Sequence, residues 1–113
     1  MTRGEIWLAD FGIPFGSEPG FIRPVLVVQD DSFNKSTINT VVILPFTTNL
    51  NLENAPGNVY ADQNSSGLKK ESVIIVSQLY AIDRQRLLER KSKIAEYLMA
   101  EIEQGIKLVV GIN

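Results

Sequence analysis

The sequence predicts a mainly β chain of the α+β class: a small antiparallel barrel or curled sheet closed by one C-terminal amphipathic helix. Three observations predict it. Short apolar segments rich in Val and Ile recur between Gly, Pro and Asn/Ser turn signals. Each of those segments is too short for a helix that could bury its own face. The final segment then changes to a period of four, which is helical.

Gly4 to Asp10 alternates between apolar and polar residues and reads as a first strand with one face buried. A loop begins near Phe11-Gly12 and runs through Gly16-Ser17-Glu18-Pro19-Gly20-Phe21-Ile22-Arg23-Pro24. Its paired glycines and prolines fit neither a helix nor a central strand. Val25 to Gln29 follows as a continuous apolar strand, so Arg23 stands where a loop is anchored to a sheet. Asp30 to Ser36 is a polar connection with room for a helical turn, and Thr40 to Leu44 is a third strand that Pro45 is expected to stop. After Thr47-Thr48-Asn49 a loop passes Asn54, Pro56 and Gly57. Asn58 to Ala61 reads as a short edge strand and Asn64 to Gly67 as a turn. Ser72 to Val76 is another apolar strand, extended or followed by Leu79 to Ile82, and Leu87 to Lys91 is a short last strand.

Ile94, Leu98, Ile102 and Ile106 then recur every four residues, while Glu96, Glu101, Glu103 and Lys107 face away. This is a helix of about four turns with Gly111 as its stop. Gly105 inside it costs roughly 1 kcal/mol relative to Ala, so packing must hold the helix there. Three of the strands are apolar on both faces, and one helix covers only part of that surface. A second copy of the chain is therefore expected to cover the rest.

Composition narrows the function. The 113 residues are 44% hydrophobic, which suits one domain over residues 1–113. Eleven basic against thirteen acidic residues leave a net charge of −2, unlike a general nucleic-acid coat but compatible with a local basic cleft. There is no Cys and no His, which removes disulfides, thiolate nucleophiles, Ser-His triads and the usual zinc ligands. No apolar run reaches membrane-spanning length and no signal-peptide pattern opens the chain, so no membrane association and a cytoplasmic location are expected.

The residues that could carry chemistry are few. Arg23 offers five donors in a planar fork suited to phosphate or carboxylate, unless it is simply a solvated Arg beside a turn proline. Thr47 and Thr48 each bring a hydroxyl at a strand end, where threonines ordinarily form turns. Glu18 could take a proton or pair with Arg23. Gln78 has an amide able to read a base edge or to close a hydrogen-bond ladder. Phe15 and Phe21 can stack on a base or anchor the loop. Lys69 and Lys70 make a small positive turn, either solvated or clamping phosphate.

In order and spacing these pieces resemble the MazF/PemK family of toxin endoribonucleases. The resemblance runs from Arg3-Gly4-Glu5-Ile6-Trp7-Leu8-Ala9-Asp10 through the Gly-Ser-Glu loop to Arg23-Pro24. It continues in Val25 to Asp30 with Asn34-Lys35, in Pro45-Phe46-Thr47-Thr48, in Ser72 to Gln78, and in Ile82-Asp83-Arg84. It closes with the helix ending Val110-Gly111-Ile112. Two departures stand out: Pro19 where many members have Gln, with a bulky Phe21-Ile22 after it, and Ser77 where an acid often precedes the glutamine.

The resemblance implies an SH3-like barrel forming a homodimer that cuts single-stranded RNA such as mRNA at short sequences. It implies no metal or other cofactor and no DNA binding by itself. A cognate antitoxin with an acidic, flexible tail would block it. The family's catalytic arginine falls on Arg23, its threonine on Thr47 (Thr48 lies one residue off) and its loop glutamate on Glu18. Its RNA-contacting glutamine falls on Gln78, and Ser17, Phe15, Phe21, Thr48, Lys69 and Lys70 are candidate substrate contacts. The chemistry suits these residues, because RNA supplies its own 2′-hydroxyl nucleophile. The protein then needs only to align the phosphate, stabilise its added charge and assist proton transfer, with Glu18 as a base whose pKa burial would raise, or with Arg23 sharing the proton transfers. Two other readings are a CcdB-like non-enzymatic toxin that binds gyrase and an inactive SH3-like interaction module. Neither accounts for Arg23, Glu18 and Thr47 together.

Overall fold

The computed structural model describes all of residues 1–113. In chain order it contains β1 (Glu5–Asp10), β2 (Ile22–Val27), α1 (Asp31–Asn34), β3 (Thr40–Thr47), β4 (Val59–Ala61), α2 (Gln63–Ser66), β5 (Ser72–Ile74), β6 (Tyr80–Asp83), β7 (Leu87–Lys93) and α3 (Glu96–Val110). Every strand pair is antiparallel, in the order β4-β5-β3-β2-β1-β7, with β6 also paired to β3. The mainly β sheet and the C-terminal helix are as the sequence predicts. Strand β4 is indeed an edge, bonded only to β5.

Strands β2 and β3 are apolar on both faces because they divide two cores. On one face Ile6, Leu26, Val28, Leu44, Phe46 and Ile74 pack beneath Leu98 and Ile102 of α3. On the other, Val25, Val27, Val41 and Ile43 pack with Ala9 and Ile82, flanked by Trp7, Phe11 and Leu87. Side chains alternate along a strand, so Val25 and Val27 enter one core while Leu26 enters the other. Of these residues, those in β2 and β3 are fully buried within the single chain apart from Phe46, and Phe46 and Val28, just past β2, are nearly so. The second copy expected from the lack of alternation is thus not needed to cover them; the chain curls its own sheet around the second core.

Boundaries moved at the prolines and at one turn. Pro45 does not stop β3, which runs on to Thr47, because its carbonyl still accepts from the Ile75 N–H at 2.9 Å. Strand β2 starts at Ile22, so Arg23 and Pro24 lie on the strand and not in the loop. Asn64 to Gly67 belongs mostly to a single helical turn, with Asp62 accepting from the Ser65 N–H and left-handed Gly67 closing it. Helix α3 ends at left-handed Gly111 as its sequence indicates.

The sheet's first strand is fixed by a carboxylate. Glu5 Oε1 accepts from the Thr2 N–H at 2.8 Å and the Trp7 indole at 3.1 Å, while Oε2 accepts from Arg90 Nε at 2.7 Å. Burial opposes the ionised form of Glu5, but the Arg90, Thr2 and Trp7 hydrogen bonds outweigh it and hold its pKa down at about 2, against 4.5 when free. The stabilisation is therefore complete above about pH 4.5 and is lost as pH falls toward 2. Its ceiling is roughly 3 kcal/mol, reduced in practice by salt and by the half-exposed Arg90. Glu5→Gln should lower the unfolding free energy at pH 7 by about 1–3 kcal/mol and flatten the acid decline. Urea titrations of both proteins from pH 7 to pH 2.5 check this; parallel declines would remove Glu5 as the cause.

Candidate functional site

The candidate site begins where β2 and β3 part. Their recorded pairing runs Val27↔Ile43, Leu26↔Leu44 and Val25↔Pro45, then ends. Pro24 has no N–H to give, so the ladder cannot continue there. Arg23 and Thr47 each lie two residues beyond the last pair, one on either side of the point where the strands part. Side chains alternate along a strand, so Arg23 follows the side of β2 that carries Val25 and Thr47 the side of β3 that carries Ile43. On its other edge the end of β3 stays paired, Phe46 to Ile74 and Thr47 to Val73. The result is a notch with one rigid wall.

Arg23 is half-buried, yet its guanidinium has no hydrogen bond and no ion pair. Thr47 is half-buried too, and its Oγ1 accepts from the Asn49 N–H at 3.1 Å. That leaves the hydroxyl proton to be donated elsewhere. Thr48 has left the strand and is exposed.

The Gly12–Phe21 loop leads from β1 into β2, just ahead of Arg23. Its two ends are pinned by the Phe11 N–H on the Phe21 carbonyl and the Phe21 N–H on the Gly12 carbonyl. Phe21 itself takes a left-handed φ of 60°, unusual for an aromatic residue. Gly20 is required: a Cβ there would lie 2.5 Å from the Pro14 ring. Phe15 and Phe21 are 83% and 65% exposed, so neither anchors the loop in a core. Gln78 does tie it down, with Nε2 donating to the Ser17 carbonyl at 3.2 Å. Ser17, Glu18, Pro19, Gln78, Leu79 and Tyr80 enclose a cavity of about 290 Å³.

Glu18 is exposed and makes no ion pair with Arg23, so neither the buried setting anticipated for a base nor the alternative pairing forms in this chain. Lys69 and Lys70 stand apart from the loop. They share a shallow pocket of about 370 Å³ with Thr48, Leu50, Gln63 and Glu71. The candidates thus divide into the Arg23–Thr47 notch, the Ser17–Glu18–Gln78 pocket and the Thr48–Lys69–Lys70 turn. The largest cavity, about 620 Å³, is apolar and belongs to none of them. Val28, Phe33, Ile38, Val42, Leu79 and Ile106 line it beside α3, with charges from Arg3, Asp30, Glu103 and Lys107.

Two residues near the notch carry no sequence signal of their own. Tyr80, two places beyond Gln78, pairs with Ile43 and rests its ring 6.2 Å from that of Phe11. Arg86 Nη1 donates to the Asp10 carbonyl at 3.0 Å and braces the end of β1 where the loop departs. Asp30 and Asp31, the one adjacent pair of carboxylates that could have held a cation, are spent on local structure. Asp30 accepts from Ser32 and caps α1, and Asp31 accepts from the Arg3 N–H and Asn34. Both pKa values are held below the ordinary carboxylate range by those bonds.

The curled β fold with its C-terminal helix is that of a class of small protein toxins, as comparison with known proteins shows. Residues 2–110 match the family described as PemK-like, MazF-like toxin of type II toxin–antitoxin systems, and the chain belongs to that family. It is 35% identical to Endoribonuclease MazF2 of Mycobacterium bovis, over 99% of this chain and 98% of that protein. It is 33% identical to Endoribonuclease MazF of Staphylococcus epidermidis, over 100% and 93%. The fold matches that of Deinococcus radiodurans MazF with a TM-score of 0.82 at 21% identity, over 99% and 97% of the two chains. A mycobacterial endoribonuclease in complex with its cognate antitoxin aligns at 0.77 and 18% identity, over 100% and 95%. No helix is long and apolar enough to cross a membrane.

Proposed function

We propose that this chain is the toxin of a toxin–antitoxin pair and cleaves single-stranded RNA sequence-selectively, without a metal, in the cytoplasm. The observation that carries the proposal is the parting of β2 and β3, beyond which stand an unpartnered Arg23 guanidinium and the Thr47 hydroxyl, whose proton is free to donate. Relatives named endoribonucleases, matched over almost their whole length, support the substrate class. In this reading the 2′-oxygen bonds to phosphorus and the bond from phosphorus to the 5′-oxygen breaks. Arg23 holds the phosphate oxygens as their charge grows, and Thr47 donates a further hydrogen bond. Glu18 on the loop takes the 2′-hydroxyl proton, and Arg23 shares the proton transfers by donating toward the leaving 5′-oxygen, which a water molecule protonates. Ser17, Phe15, Phe21 and Gln78 contact the bases, while Thr48, Lys69 and Lys70 offer a second polar landing for the strand.

An antitoxin partner is supported by the relatives solved with theirs. A homodimer is supported by exposed Phe33, Ile38 and Leu79 around the large apolar cavity. The test of the reaction is the product. The fragments should carry a 2′,3′-cyclic phosphate, or its opened monophosphate, on one side and a 5′-hydroxyl on the other. Cleavage should persist in excess EDTA and stop when the attacking 2′-hydroxyl is replaced by hydrogen. Mass spectrometry showing 5′-phosphate ends, or activity that returns only with magnesium, would refute the mechanism.

A further inference from the structure

We infer that Asn58 is a positioning residue for the Thr47 hydroxyl, acting through the short helical turn Leu50–Asn54 that follows β3. The inference rests on the RNA-cleaving reading above and adds to it what fixes the threonine. Thr47 Oγ1 accepts from the Asn49 N–H at 3.1 Å, so the direction left to its proton depends on where Asn49 stands. Asn49 in turn caps the helical turn, its Oδ1 accepting from the Asn51 N–H at 3.3 Å. That turn buries none of its residues, so packing alone does not fix it. Beyond its own cap, the side chain bonded to it is Asn58, whose Nδ2 donates to the Leu52 carbonyl at 3.0 Å.

The other end of the Asn58 amide is held as firmly. Its Oδ1 accepts from both the N–H and the hydroxyl of Ser77, each at 3.2 Å. Ser77 follows the buried pair Ile75-Val76, and the Ile75 N–H donates to the Pro45 carbonyl of β3 at 2.9 Å. The bonds therefore close a ring. It runs from Pro45 along β3 to Thr47, through Asn49 and Leu52 to Asn58, and back by Ser77 and Ile75. Turning the Asn58 amide over would set like against like at both Leu52 and the Ser77 N–H, so a single orientation is dictated. Ser77 is also a departure from the family pattern, and an ionised acid in its place could not donate to Oδ1 as the serine hydroxyl does. Without Asn58 the turn loses its tie to the core, and Asn49 no longer holds the Thr47 hydroxyl in one direction. Because both ends of its amide are bonded within the chain, Asn58 acts on the reaction through Thr47.

A double-mutant cycle with Thr47 separates positioning from general support of the fold. Asn58→Ala should lower kcat about tenfold, with KM within about twofold of wild type. In a Thr47→Ala background the same substitution should lower kcat by no more than about twofold, because the hydroxyl it positions is gone. Ser77→Ala removes one of the two donors to Oδ1 from an exposed side chain; it should lower kcat about threefold and lose its effect in the same background. In protein without RNA, hydrogen exchange at the Asn51 amide should quicken about fivefold in Asn58→Ala. Glu5→Gln, at the end of β1 away from the loop, is the control for lost stability and should leave both kcat and Asn51 exchange as in wild type. Wild-type kcat in Asn58→Ala, a full loss that persists without the Thr47 hydroxyl, or unchanged Asn51 exchange would each overturn the inference. Should Asn58→Ala fail to fold, Ser77→Ala decides by the same cycle. If wild type cuts no RNA, the functional reading fails and the positioning role with it, while Asn51 exchange still decides whether Asn58 holds the turn.

Discussion

Arg23→Ala should reduce RNA cleavage at least 100-fold while the protein melts as before. The guanidinium has no partner in the chain, so truncation breaks no hydrogen bond or ion pair and loses only the packing of a half-buried stem. Its contribution would appear only when phosphate charge develops beside it. Removing one well-placed donor from such a site costs about 100- to 1000-fold in rate, or roughly 3–4 kcal/mol of transition-state stabilisation. Arg23→Lys should fall between, because an ammonium keeps the charge but not the planar fork. Thr47→Ala should lose less, since a neutral hydroxyl stabilises growing charge less than a cation does. Initial rates on one RNA, alongside melting curves, test the series. Activity of Arg23→Ala within about threefold of wild type, in a folded protein, would end the assignment.

The elements most legible in the sequence were those set by local chemistry. The period of four from Ile94 to Ile106 marks α3, and Gly111 closes it in the left-handed conformation that glycine tolerates best. What sequence could not show was which partner each strand edge would find. Pro45 reads as a stop because proline cannot donate to a ladder, yet its carbonyl can accept, and Ile75, just past β5, supplies the donor. The apolar run Val25 to Val28 reads as a surface wanting cover because alternation between two interior cores looks like no alternation at all. At the site, Arg23 and Thr47 were visible as residue types, but that both lie just beyond the point where β2 and β3 part depends on a register counted across two strands. The tie from Gln78 to Ser17 joins segments far apart in the chain, and no spacing rule connects them.

Gly105→Ala should destabilise the protein, although helix propensity alone favours the change by roughly 1 kcal/mol. The glycine is buried in α3, facing the loop that precedes β4. A Cβ at position 105 would fall inside the contact distance of the Gly57 carbonyl oxygen, with the Gly57 carbonyl carbon at 3.2 Å. That neighbour is backbone and cannot rotate away. Nor can the loop slide easily, because Gly57 holds a φ of +88° and lies against the side chain of Val109. Forcing a methyl group into a packed contact costs about 1–3 kcal/mol, or more where the obstacle is main chain. The clash should therefore outweigh the propensity gain and leave a net loss of about 2 kcal/mol, on the order of 10 °C in Tm. Gln104→Ala, one residue earlier and exposed, should change stability by no more than about 0.5 kcal/mol. Thermal and urea unfolding of the two variants separate the effects: a Gly105→Ala protein about 1 kcal/mol more stable than wild type would mean that α3 and the Gly57 loop are not in contact, and that propensity alone governs this turn of the helix.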